Sequence, residues 1–151
     1  MSFDVSIFQG AALAGEQLLE QQLFGNVPGA VCTGVQKLMQ TWVMEFLSAT
    51  GSYRFLPRRG TGFLPSLLQG RLRTELDVQT AFNFAADAVS RNLAADEAAD
   101  APDDERLASA TLTGISLVND TILLDIQLTS QAGDSRQAVL PLSVAPITPD
   151  F

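Results

Sequence analysis

Histidine is absent from the 151 residues. Without an imidazole, nucleophile activation by Ser-His or Cys-His pairs and His-based metal sites are excluded. The single cysteine, Cys32, has no partner for an intrachain disulfide, which suits a reducing compartment or assembly inside a cell. Flanked by Val31, Thr33 and Gly34, it reads as a small buried hydrophobe rather than a nucleophile. Lysine occurs once, at Lys37, and nine basic residues face seventeen acidic ones for a net charge of −8. That balance excludes nucleic acid and an anionic membrane as the main partner, because both are bound through clustered cations. No apolar run approaches the ~20 residues of a membrane span. The N-terminus has Asp4 as its only early charge and lacks a basic n-region, so no cleaved signal peptide is expected.

What is present is the material of one folded domain. A hydrophobic fraction of 46 % with only 17 % charged residues is ample for a core at this length. Ser2 to Phe8 alternates Phe3, Val5 and Ile7 with polar residues and reads as a short strand or extended arm. Gly10 to Phe24, with Leu13, Leu18, Leu19 and Leu23, reads as a short amphipathic helix interrupted by Gly15, and residues 25–29 as a loop. Residues 1–30 thus form an arm and residues 31–151 the main domain. From Val31 to Phe46 a helix is expected, with Val35, Leu38, Met39, Trp42, Val43, Phe46 and Leu47 as its apolar stripe and Gln36, Lys37, Gln40 and Glu45 largely on the other side. Gly51 should close it in a left-handed turn. A Pro/Gly connector over 52–62 leads to a short helix from Phe63 to Gln69.

A longer helix, capped by Thr74 or Asp77, is expected from about Glu75 to Asn92, with Leu76, Ala81, Phe82, Ala85, Val89 and Leu93 as its apolar stripe. The acidic stretch 94–105 extends that helix briefly and breaks at Pro102. The last third alternates with a period of two: Leu107 to Leu117, then Ile122, Leu124, Ile126 and Leu128, then Ala138, Leu140, Leu142 and Val144. Turns at Asn119-Asp120 and at 132–135 join them. The fold class is α+β, helices packed on a small antiparallel β-meander.

Little in this pattern can do chemistry. Asp100, Asp103, Asp104 and Glu105 lack the ligand spacing and central glycine of a calcium loop and read as a solvated connector. The glycines fit neither a P-loop nor a dinucleotide fingerprint, and no cofactor or metal is expected. Two carboxylates could in principle run a glycosidase, with Glu45 beside Trp42 and Phe46 as the acid, but no second carboxylate pairs with it. One feature exceeds background: Arg54, Arg58, Arg59, Arg71 and Arg73 sit together with no acid between Phe46 and Glu75. Seven carboxylates follow from Asp87 to Glu105. Such a split suits charged protein partners, with Arg54, Arg58 and Arg59 on an exposed connector. Alternatively the two clusters neutralise each other within the fold.

The run Gly34-Val35-Gln36-Lys37-Leu38-Met39-Gln40, then Glu45 to Ser52, then Pro57-Arg58-Arg59-Gly60-Thr61-Gly62-Phe63 resembles the lysozyme-like baseplate wedge proteins of contractile phage tails, a family that includes a baseplate subunit of type VI secretion systems. Order and spacing match over roughly residues 31 to 144. The motifs are chiefly backbone devices, with Gly51 and Gly60 at turns other residues resist. The family's Glu-Pro-Arg motif after the long helix corresponds here to Asp104-Glu105-Arg106, without the proline. The resemblance implies an assembly role rather than lysozyme activity: six copies per particle in the virion's tail baseplate, assembled in the host cytoplasm. The partners it implies are the other wedge proteins and the tail sheath, with tube or hub proteins as further neighbours, and no nucleic acid or membrane. Glu105 and Arg106 would then meet a neighbouring subunit. A tail-associated muralytic enzyme and a free-standing adaptor are the competing readings. The last strand, with Gln137, Val139 and Pro141, is expected at a sheet edge, because proline is tolerated where its missing N–H faces no ladder. That edge either accepts the sheath's arm or is covered by the strand at Phe3 to Ile7.

Overall fold

The computed structural model describes residues 4–5, 16–18, 31–118 and 120–143. In chain order these form β1 (Asp4–Val5), β2 (Glu16–Leu18), β3 (Val31–Cys32), α1 (Gly34–Leu47), α2 (Phe63–Leu68), α3 (Glu75–Asp96), a 3-10 turn (Asp103–Glu105), β4 (Leu107–Val118), β5 (Thr121–Ser130) and β6 (Ser135–Ser143). The expected α+β architecture is present: three helices against the antiparallel meander β4-β5-β6. The loop expected at 25–29, the turn residue Asn119 and the strand end at Val144 lie outside the described residues.

Two expectations near the N-terminus are corrected. Glu16–Leu18, placed in a helix by its leucines, is a strand that adds parallel to β6, giving the sheet order β2-β6-β5-β4. The rest of that expected helix is outside the described residues. Val31–Cys32 pairs with Asp4–Val5 instead of opening α1, which begins after Thr33 in extended backbone. Tertiary pairing overrides a weak helical pattern here, since a glycine-interrupted segment has little propensity to resist it.

The core lies where α1 crosses the sheet. Trp42 and Phe46 are both 0 % exposed and stack with centroids 4.9 Å apart. Phe46 also meets Phe63 of α2 at 4.8 Å and Phe82 of α3 at 5.4 Å, so one ring joins all three helices. The sheet answers with Leu124, Ile126 and Leu128 from β5 and Ala138, Leu140 and Leu142 from β6, as their alternation requires. In β4 the core-facing parity changes. Leu112 is paired with Ile126, yet Ile115 is paired with Leu124, because a bulge at Thr113 inserts one extra residue. The strand's own alternation hides that switch.

The buried stripe of α3 is Val78, Phe82, Ala85, Ala86 and Val89, with Ala81 and Leu93 packed against the core, so the expected stripe holds except at Leu76, which is 71 % exposed, and it gains Val78 and Ala86. Two residues along a helix turn the chain by about 200°, so Leu76 and Val78 cannot share a face. Both proposed caps act at once. Thr74 Oγ1 accepts the Asp77 N–H at 3.1 Å, and Asp77 Oδ2 accepts the Thr74 N–H at 3.0 Å, a reciprocal capping box. Arg73 N–H donates to the same oxygen at 3.1 Å.

Hydrogen bonding with the Thr74 side chain, then with the Arg73 and Thr74 N–H groups, holds the Asp77 carboxyl below its ordinary value of 3.8. A depressed folded pKa gives stability that is present above the unfolded value and lost as pH falls through the folded one. Asp77→Ala should therefore be less stable than the parent chain at neutral pH. The gap should close as pH falls below 3.8, read as the difference in thermal midpoint across a pH series.

Candidate functional site

Glu45 sits on the buried face of α1, at the same three- and four-residue spacing as Leu38 and Trp42, and its side chain is 2 % exposed. The expectation that Glu45 and Gln40 point to solvent is therefore wrong for both, since Gln40 is also 2 % exposed. Polarity masked a periodicity that includes them. A buried carboxylate must have its charge and lone pairs answered. Glu45 Oε1 accepts from the Gly60 N–H and from Asn92 Nδ2, both at 2.8 Å, and Oε2 accepts from Arg59 Nη1 at 3.1 Å. Three segments thus converge on one side chain: α1, the end of the connector, and α3.

The connector's return is fixed around that point. Thr61 N–H donates to the Ser48 carbonyl at 2.7 Å, Thr50 N–H to the Thr61 carbonyl at 3.1 Å, and Thr61 Oγ1 to the Phe46 carbonyl at 2.6 Å. Gly60 has φ +89°, and a Cβ there would lie 2.6 Å from the Ser48 carbonyl oxygen. Only glycine fits so close a backbone approach. Gly51 is left-handed at φ +83° but does not close α1 as expected: the helix stops at Leu47 with Ser48 as its extended C-cap, and Gly51 belongs to the next turn, closed by the Ser52 N–H to the Ala49 carbonyl at 3.0 Å. Asn92 Nδ2 also donates to the Arg58 carbonyl at 3.2 Å, so α3 holds the connector at two consecutive residues.

Arg59 is the hinge between the two charge clusters. It binds Glu45 on one side and Asp96, at the end of α3, on the other. Neutralisation within the fold is realised at this residue, whose two carboxylate partners are both internal. Arg54 and Arg58 remain exposed and have no ion pair among the described residues. Between them the chain presents Phe55, 86 % exposed, and Leu56, 51 % exposed, with the Arg54 guanidinium carbon 5.6 Å from the Phe55 ring centre. Neither apolar residue was singled out in the sequence, although the signal existed: two large hydrophobes in a Pro/Gly connector with no periodic partner.

Glu105 and Arg106 are turned inward. Glu105 Oε2 pairs with Lys37 of α1 at 2.9 Å. Arg106 binds Glu97, lies 3.8 Å from Asp103 and donates from Nη2 to the Ala99 carbonyl at 3.3 Å, gathering residues 97–103 around its fork. The backbone completes this brace, with Gln131 N–H donating to the Arg106 carbonyl at 2.9 Å and Ala132 N–H to the Asp103 carbonyl at 3.2 Å. The partners seen for Arg106 belong to its own chain, and its side chain remains 26 % exposed.

The expected open edge also changes. Gln137, Ala138 and Val139 pair with Glu16, Gln17 and Leu18, so that part of β6 is covered, and by β2 rather than by a strand at Phe3 to Ile7. Pro141 is exposed and lies beyond the last residue paired with β2, consistent with the edge position its chemistry demands. Among the described residues the two edges of this sheet are β2, three residues long, and β4, whose outer side runs unpaired over 12 residues.

Among the described residues no group of three or more Asp, Glu or Cys side chains could hold a metal ion, and no helix is long and apolar enough to cross a membrane. Compared with protein-family models, curated proteins and solved structures, the chain matches none.

Replacing Glu45 by alanine leaves the Gly60 and Asn92 donors and the Arg59 cation without their acceptor. Denaturant unfolding of Glu45→Ala should show a loss of about 3 kcal/mol, the lower end for a broken buried pair because Arg59 keeps Asp96 and some water.

Proposed function

We propose that this chain is a structural subunit of a contractile-tail baseplate, joining each of six wedges and offering a sheet edge on which the first sheath ring forms. The observation that carries this reading is that the residues behind the resemblance stand where the backbone needs them. Gly51 and Gly60 occupy left-handed positions, Gly60 against the end of α1, and Glu105-Arg106 ties the start of the meander to α1 and to the end of α3. Its surroundings are other wedge proteins, the sheath, and tube or hub proteins, in the tail baseplate of the virion.

Glu45 supports a mechanical rather than a catalytic use of the site. Both of its oxygens are filled by the chain's own donors, and a general acid needs a lone proton within reach of a substrate. Glu105-Arg106 then works as a brace, holding residues 97–103 in one shape for a neighbour to meet. For the sheath, the long outer side of β4 is the better acceptor of an incoming arm. It runs over Leu107–Val118, whereas the free part of β6 is short and broken by Pro141.

In a tail-producing host that lacks this gene, baseplates should remain without sheath, and the native gene should restore sheathed tails. Ser109→Lys with Thr111→Lys, both exposed on β4, should allow incorporation into the baseplate but block sheath growth, because edge lysines oppose strand addition. Electron micrographs of normally sheathed tails from the gene-deleted host would refute the proposed role. Normal sheaths on the lysine variant would refute the use of β4.

A further inference from the structure

The connector's outward half has chemistry that the Glu45 anchor does not use. Phe55, Leu56 and Pro57 form one wall of a cleft of about 550 Å³, and Arg91, Asn92 and Ala95 of α3 form the other. Phe55 and Leu56 are an adjacent exposed apolar pair, and an aromatic with arginines beside it is the composition of an interface anchor. The base of this loop is held by Gly60, Arg59 and the Arg58 carbonyl, so the tip is presented with little ordering left to be done on binding.

The electrostatics select the partner. Arg54, Arg58 and Arg91 surround the apolar wall, and none has an ion pair among the described residues. Glu45 and Asp96, the latter lining the same cleft, are both taken by Arg59, while Asp87 lies one helical turn before Arg91 on α3. A chain of net charge −8 therefore carries a small, locally cationic and apolar surface in which Arg54, Arg58 and Arg91 outnumber the one unpaired acid beside them, Asp87. A second copy is disfavoured by like net charge, and an anionic bilayer by the same long-range repulsion. We infer that the Tyr53–Arg58 tip and its cleft are a docking site for a segment of another protein that carries carboxylates beside an apolar anchor. The apolar residue packs against Phe55 and Leu56, and the carboxylates meet Arg54, Arg58 and Arg91. The inference shares with the proposed function only the premise that this chain meets other proteins, and it needs no particular particle.

The test places a benzophenone-bearing amino acid at Phe55 in the full chain, expressed in its native host, with ultraviolet crosslinking and mass-spectrometric mapping of the joined peptide. The expected result is an adduct with a different protein, at an apolar residue flanked by Asp or Glu. Its yield should fall about tenfold when Arg54, Arg58 and Arg91 are changed to Glu, at an unchanged thermal midpoint. If the triple reversal lowers the midpoint, the three Arg→Ala changes combined with rising salt give the same readout. No adduct, an adduct with lipid or with a second copy, an attachment peptide without carboxylates, or a yield indifferent to the charge changes would overturn the inference. An adduct of the expected kind on a protein unrelated to tails would leave it standing while removing the baseplate reading.

Discussion

A carboxylate inside an apolar core is tolerable only if the fold is built to answer it, and Glu45 sets that condition here. Its charge lies next to the Trp42–Phe46 stack, where water cannot solvate it. The Gly60 amide, the Asn92 amide group and the Arg59 guanidinium replace that water. Each donor belongs to a segment that meets α1 from elsewhere in the chain, and for the connector the Thr61 bonds to Phe46 and Ser48 act beside it. Satisfying one side chain therefore fixes the end of the connector and the last turns of α3. Burial of Phe46, Phe63 and Phe82 supplies the driving force for packing the helices, but apolar contact is non-directional. The hydrogen bonds to Glu45 choose one arrangement among those that bury the same rings, because any other leaves a charge unanswered.

The charge distribution follows from the same anchor. The acidic segment after α3 is largely consumed by the chain's own cations: Asp96 by Arg59, Glu97 and Asp103 by Arg106, and Glu105 by Lys37. These pairs are partly exposed, and individually they contribute little to stability. Their use is geometric, since they tie the connector, α1, the 3-10 turn and the end of α3 into one face. What remains outside is the basic, aromatic tip of the connector, held firmly at its base. A rigid platform with a presented tip and a long free sheet edge is suited to assembly work.

The parts legible in the sequence were those where a single period dominates. α3, β5 and β6 follow their apolar alternation, and the Thr74–Asp77 cap is local chemistry readable from residue types. Misreadings came from contacts that no local pattern encodes. Glu45 and Gln40 share the helical spacing of the core yet looked solvent-facing because they are polar. Glu16–Leu18 looked helical because its leucines say nothing of the β6 edge that captures it. The bulge at Thr113 keeps β4 in the core by switching parity, which strict alternation cannot express. Arg59 stands beside Arg54 and Arg58 in the sequence, whereas its partners lie fourteen and thirty-seven residues away, at Glu45 and Asp96.

A buried carboxylate, rather than the loop's own turns, fixes the end of the connector against the helices. Amide hydrogen exchange at Gly60 tests it most directly, because that N–H donates to Glu45 Oε1 from a position 15 residues away in the chain. Gly60 should exchange as slowly as the amides of β5, requiring global unfolding to open, while residues 53–57 exchange quickly. Exchange of Gly60 at the rate of those loop neighbours, with β5 still protected, would contradict the account.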